Sequence, residues 1–193
     1  MFRILITFAF IPAILAEDMA LNYVALGIAV IAAVSDWLDG HLARKYNLIS
    51  NFGKVMDPLA DKILVFGALL CFVHLGVAPV WMVIIIIARD FFINGIRQLA
   101  AEEGRIIAAS NWGKAKTVVE LIAIIAILIL LAVKRTLIHY GVDLDAMEFM
   151  DMQTGKFLEK YIPYWLMFLA TAMSLISGLE YYFKNIKIFD RQL

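Results

Sequence analysis

Apolar residues run along this chain in long blocks, and charged residues gather at the borders between them. Six blocks are apolar enough to read as helices crossing a bilayer, at roughly 2–16, 21–43, 58–76, 79–101, 113–133 and 162–183. The first block is short and opens like an export signal, with one positive charge ahead of an apolar run. Pro12 interrupts that run and Glu17-Asp18 follow it, so retention as a first spanning helix is the expectation. Connections are brief except for the polar stretch from Lys134 to Lys160. Its Met147, Phe149, Met150 and Phe157 are interspersed with acids, which fits a short interfacial helix or a solvated loop. No repeat, low-complexity run or shift of composition divides the chain, so one domain over residues 1–193 is expected.

Composition strengthens the membrane reading. The chain is 63% hydrophobic and 18% charged, with a mean hydropathy of +0.85. A water-soluble domain of 193 residues rarely reads so apolar. The formal net charge is zero and gives no sign of a nucleic-acid partner. Cys71 is the single cysteine, so no internal disulfide is possible. The fold class expected is an all-α integral membrane protein of six transmembrane helices, with a polar active-site cavity facing the cytoplasm.

The distribution of Lys and Arg sets the orientation. Six spans place both termini on one side, together with the 44–57 and 102–112 loops. That side collects thirteen of the 17 Lys and Arg residues, and only Lys134, Arg135, Lys156 and Lys160 lie on the other. The richer side reads as cytoplasmic. Trp37, Trp81, Trp112 and Trp165 read as interface residues. His41, His74 and His139 are scattered singly, without the spacing of metal ligands.

Charge is costly near lipid, yet four aspartates stand at two block borders on the cytoplasmic side. Asp36 and Asp39 are spaced i, i+3, and Asp57 and Asp61 are spaced i, i+4, so each pair shares one helix face. Two neighbouring helices would bring four carboxylates together. Such a cluster repels itself unless cations sit between the oxygens, and an all-oxygen set suits Mg²⁺, Ca²⁺ or Mn²⁺. The plainer reading makes them helix-end residues, with Asp57 capping a helix that begins at Pro58. Gly40, Ala43 and Gly53, interleaved with the acids, suggest a slot beside a metal site.

From Asp36 to Asp61 the residues read D-x2-D-G-x2-A-R-x8-G-x3-D-x3-D. This resembles the signature of the CDP-alcohol phosphatidyltransferase family at each fixed position. ARDFFINGIRQLAAEEG (Ala88 to Gly104), NWGKAKT (Asn111 to Thr117) and SGLEYY near the C-terminus resemble the branch of that family that makes phosphatidylglycerol phosphate. The branch usually has Glu where this chain has Asp90. The resemblance implies six transmembrane helices, a homodimer in the lipid bilayer, and two divalent ions, Mg²⁺ or Mn²⁺. It also implies Asp36, Asp39, Asp57 and Asp61 as metal ligands, with Asp61 doubling as general base. CDP-diacylglycerol would then lie against Gly40, Ala43, Arg44 and Gly53. A bacterial inner membrane would be the location.

The acceptor needs a cationic pocket. Arg89 and Arg97 are eight residues apart on one helix face, and an arginine within a span costs roughly 2.5–3.5 kcal/mol on insertion scales. With Lys114 and Lys116 they are expected to hold the phosphate of glycerol 3-phosphate. The plainer reading makes these residues snorkelling anchors. Inositol phosphate, or phosphatidylglycerol as in cardiolipin synthesis, stands as an alternative acceptor. A cation transporter fits less well, because its carboxylates belong near the bilayer midplane.

Overall fold

A computed structural model describes the backbone of residues 2–46, 51–102, 110–142, 144, 148–149 and 152–189, and side chains at 6–35, 62–98, 100, 110–142, 144 and 154–185. Six long helices dominate: α1 (Phe2–Leu15), α2 (Met19–Tyr46), α3 (Asn51–His74), α4 (Val80–Glu102), α5 (Asn111–His139) and α7 (Ile162–Phe189). Between α5 and α7 lie two-residue strands β1 (Glu148–Phe149) and β2 (Met152–Gln153), which pair antiparallel, then a helical turn α6 (Thr154–Lys156) and a π-helical turn at Phe157–Tyr161. The stretch between α5 and α7 therefore holds a small hairpin followed by a helical restart, which neither sequence reading of it contained. Strands this short carry no readable period.

Local chemistry sets the helix ends. Asp18 caps α2, accepting from the Leu21 amide at 3.0 Å, and Ser110 caps α5, accepting from the Gly113 amide at 3.0 Å. After α3, Gly76 takes φ +69°. Its amide bonds to Val73 and the Val77 amide to Phe72, which satisfies two carbonyls left over at the helix end. Gly141, at φ +76°, ends α5 in the same way with Ile138 and Leu137. That cap explains why α5 runs beyond the expected end near residue 133: Lys134 and Arg135 lengthen the helix with polar turns.

Helix contacts order the bundle as a closed cycle. α1 packs on α2 and α3, α2 on α5, α5 on α7, α7 on α4, and α4 on α3. The main core, around Phe10, Leu69, Phe72, Met82, Ile86, Ile127 and Met167, fills the half where α3 ends and α4 begins. A second, small cluster of Ile93, Ile96 and Tyr181 lies further along α4. Polarity is inverted relative to a water-soluble bundle. Asn22, Asp90, Lys116, Glu120, Thr171, Ser174 and Ser177 are buried, whereas Phe8, Ile31, Leu70, Ile84, Ile122 and Phe183 are exposed. Among the described residues, Asn111–His139 and the continuous helical run Thr154–Asn185 are long and apolar enough to cross a membrane, and Ile6–Leu15, Met19–Ser35 and Lys62–His74 are shorter apolar helices.

Candidate functional site

α4 supplies the centre of the polar half. Its apolar run is broken by Arg89, Asp90 and Arg97, and the three side chains turn inward toward α3, α5 and α7. Asp90 is the hub. Its carboxylate accepts from Lys62 Nζ at 2.6 Å, from Lys116 Nζ at 2.8 Å and from Arg89 Nη1 at 3.0 Å. Lys116 also donates to Glu120 Oε2 at 2.7 Å, one helical turn further along α5. The side chains of Lys116 and Asp90 are 0% and 1% exposed. Charges so deep persist only when paired and hydrogen-bonded, and this network ties α3, α4 and α5 together.

Beside the hub is a cavity of about 170 Å³ walled by α3, α4 and α5. Among the described residues, Lys62, Arg89, Arg97 and Lys114 bring four positive charges to its wall, and Asp90 brings one carboxylate. Asn94 and Thr117 add neutral polar groups. The Arg97 guanidinium sits 5.5 Å from the centre of the Tyr181 ring. The Nε groups of Arg89 and Arg97 are buried without a hydrogen-bond partner among the described residues. The cavity therefore combines excess positive charge with donors still uncommitted, which is what an anionic ligand of phosphate size requires. Lys62 and Thr117 also border a second cavity of about 100 Å³, lined largely by apolar residues of α1, α2, α3 and α5.

The expected acceptor residues divide. Arg89, Arg97 and Lys114 converge on the first cavity. Lys116 does not line it, because residues two apart on a helix point to nearly opposite sides and its ammonium is held by Asp90 and Glu120. The expectation missed Lys62, Asn94 and Thr117 in the wall and Asp90 as the hub. Two signals pointed to the network: an acid directly after a buried arginine, and Glu120 at i+4 from Lys116.

Asp36, Asp39, Gly40, Ala43 and Arg44 belong to α2, and Gly53, Asp57 and Asp61 belong to α3. Their backbones are helical, so both acid pairs keep the spacing that puts them on one face. Their side chains lie outside the described residues. Lys62 follows Asp61 directly, which places the acid pair of α3 next in sequence to the cavity wall.

The family model for CDP-alcohol phosphatidyltransferase matches residues 1–176. A Bacillus subtilis (strain 168) protein named CDP-diacylglycerol–glycerol-3-phosphate 3-phosphatidyltransferase is 39% identical over 156 residues, covering 81% of this chain and 70% of that protein. A protein of the same name from Mycoplasma pneumoniae is 35% identical over 162 residues, covering 82% of this chain and 66% of its own length. A third, from Haemophilus influenzae, is 37% identical over 128 residues, covering 64% of this chain and 69% of its own. The chain thus spans about two thirds of the length of these relatives. With a match that runs from the first residue into the middle of α7, taking in both acid pairs and the cationic cavity, the chain belongs to the CDP-alcohol phosphatidyltransferase family.

Proposed function

We propose that this protein transfers the phosphatidyl group from CDP-diacylglycerol to sn-glycerol 3-phosphate, giving phosphatidylglycerol phosphate and CMP. The observation that carries the acceptor is the cationic cavity, with its uncommitted guanidinium donors beside the helix that bears Asp57 and Asp61. The names of the relatives supply the lipid donor and agree with a phosphorylated polyol as acceptor.

Arg89, Arg97 and Lys114 hold the acceptor phosphate and turn its hydroxyl toward Asp61. The Asp61 carboxylate takes the hydroxyl proton. The freed oxygen bonds to the phosphorus that carries diacylglycerol, and the bond from that phosphorus to the CMP phosphate breaks. Gly40, Ala43 and Gly53 leave room for the cytidine, and Arg44 pairs with the nucleotide phosphates. The donor set at Asp36, Asp39, Asp57 and Asp61 is all carboxylate on regular helix, which fits two Mg²⁺ or Mn²⁺ ions. When bound there, such ions supply charge neutralisation to the diphosphate. Lys116 takes a supporting part, fixing Asp90 and through it Lys62 and Arg89.

Residues 1–193 form one membrane domain in this reading. Six helices span a bacterial inner membrane, with termini and cavity cytoplasmic, and two copies pair as the family resemblance implies. The inverted polarity of the bundle supports the bilayer, and the excess of Lys and Arg on one side supports the orientation. Inositol phosphate is the rival acceptor, since the cavity charges suit any phosphate monoester.

The test is CMP release from reconstituted protein given CDP-diacylglycerol, Mg²⁺ and one acceptor at a time. Glycerol 3-phosphate is expected to support release in the wild type and not in Asp61→Asn. Faster release with inositol phosphate or phosphatidylglycerol would reassign the acceptor.

A further inference from the structure

None of the described side chains of α7 lines the cationic cavity, yet the helix packs closely along α4. Its Gly178 and Tyr181 are three residues apart, so they share one face. Both meet the arginines of α4. A Cβ built on Gly178 would lie 3.1 Å from Cγ of Arg89, closer than side chains ordinarily approach. A methyl group at 178 would require the Arg89 stem to give by a few tenths of an ångström. One turn further along α7, the Tyr181 ring lies under the Arg97 guanidinium at 5.5 Å, within the range of an attractive cation–π contact. Tyr181 is 3% exposed and packs with Ile93 and Ile96, which flank the turn of α4 that carries Arg97. Its hydroxyl makes no hydrogen bond to the described residues. The ring, rather than the hydroxyl, is therefore the part that engages Arg97.

From this geometry we infer that Gly178 and Tyr181 are positioning residues for the acceptor: α7 seats the two arginines that grip the substrate phosphate, without touching that substrate itself. The inference rests on the acceptor reading given above. It assigns a task to the C-terminal helix that is distinct from catalysis and from binding of the lipid donor. The stem of Arg89 is set by the absent side chain at 178. The head of Arg97, its Nε without a partner among the described residues, needs the aromatic face at 181 to stay aimed at the cavity.

The experiment compares Tyr181→Phe, Tyr181→Leu and Gly178→Ala with wild type in the reconstituted full chain. KM for glycerol 3-phosphate and for CDP-diacylglycerol are measured separately, together with kcat. Leu179→Ala, on the exposed face of α7, is the control. Tyr181→Leu is expected to raise the glycerol 3-phosphate KM by about two- to thirtyfold, the range of a lost cation–π contact. Tyr181→Phe keeps the ring and is expected to stay within about twofold of wild type on the same scale. Gly178→Ala is expected to raise the same KM severalfold, and all variants are expected to leave the CDP-diacylglycerol KM in place. Equal loss for both substrates, or a Phe variant as impaired as the Leu variant, overturns the inference. Should Tyr181→Leu fail to purify folded, Gly178→Ala decides it by the same split of KM values. Arg97→Ala separates the two readings. If it raises the acceptor KM while Tyr181→Leu and Gly178→Ala do not, the role of α7 falls and the acceptor pocket stands. If Arg97→Ala also leaves that KM unchanged, the pocket itself falls and takes this inference with it.

Discussion

Phe72 and Asp90 are both almost wholly buried, at 0% and 2% exposure, and they sit in opposite halves of the same bundle. Phe72 shares the apolar core with Leu69, Met82, Ile86 and Ile127, where contact is non-directional. Around Asp90 the neighbours are Lys62, Arg89 and Lys116, each at a fixed hydrogen-bond distance. Packing of the first kind tolerates small changes of shape, because dispersion is spread over many weak contacts. A buried charge network does not, because removing one member leaves its partners charged and unsolvated. Burial therefore means two things here. In one half it holds helices together, and in the other it holds a few cationic groups at set positions beside a cavity.

The largest effect is expected where charge serves chemistry alone. Asp36→Asn or Asp57→Asn should abolish CMP release while the protein still inserts and purifies, measured on the reconstituted variant beside wild type. Near-normal turnover at saturating Mg²⁺ would break the contrast at its functional end. Next comes the hub. Asp90→Ala leaves Lys116 buried beside Glu120 alone and should cost about 3–5 kcal/mol of stability, read as a lowered thermal midpoint. Replacing Asp90, Lys116 and Glu120 together by Leu, Met and Leu should recover most of that stability, because well-packed apolar groups often match a buried ion network. Use of glycerol 3-phosphate should stay impaired. Recovery of both would mean that the charges serve the fold only. The smallest effect belongs to the apolar half. Ile127→Val should cost about 0.5–1.5 kcal/mol and leave both KM values as they were, which an acceptor titration would check.

The two halves were also unequally legible in the sequence. The six helices could be read from apolar blocks because each needs a long run of low-polarity residues, and α4 and α5 lie close to where the pattern placed them. Their ends were less legible, since hydropathy stops at a charge but a helix stops where its backbone is capped. Lys134 marks the first event in α5 and Gly141 the second. In the site, Arg89 and Arg97 stood out because arginine within a span is costly. Lys114 and Lys116 look alike in a list of cations, and only the 100° step per residue separates a cavity wall from a buried pair. The link between Gly178 and Arg89 joins positions far apart in the chain, so no local pattern carries it.

The π-helical turn at Phe157–Tyr161 has a consequence in angular terms. A π turn takes one residue more than an α turn to complete its circuit, so everything before it is set out of phase with α7 by about 100°. Within the turn, Glu159 pairs with Lys134 of α5, and Phe157 stacks on Tyr161 with ring centres 5.3 Å apart. Ahead of it, Gly155 is buried and donates to the Leu144 carbonyl, which ties the connection between α5 and α7 back on itself. One surplus residue thus acts as a phase shifter. It lets α7 keep the azimuth that faces Arg89 and Arg97 while the hairpin above it keeps a different one, so the two ends of a single continuous helix answer to separate partners.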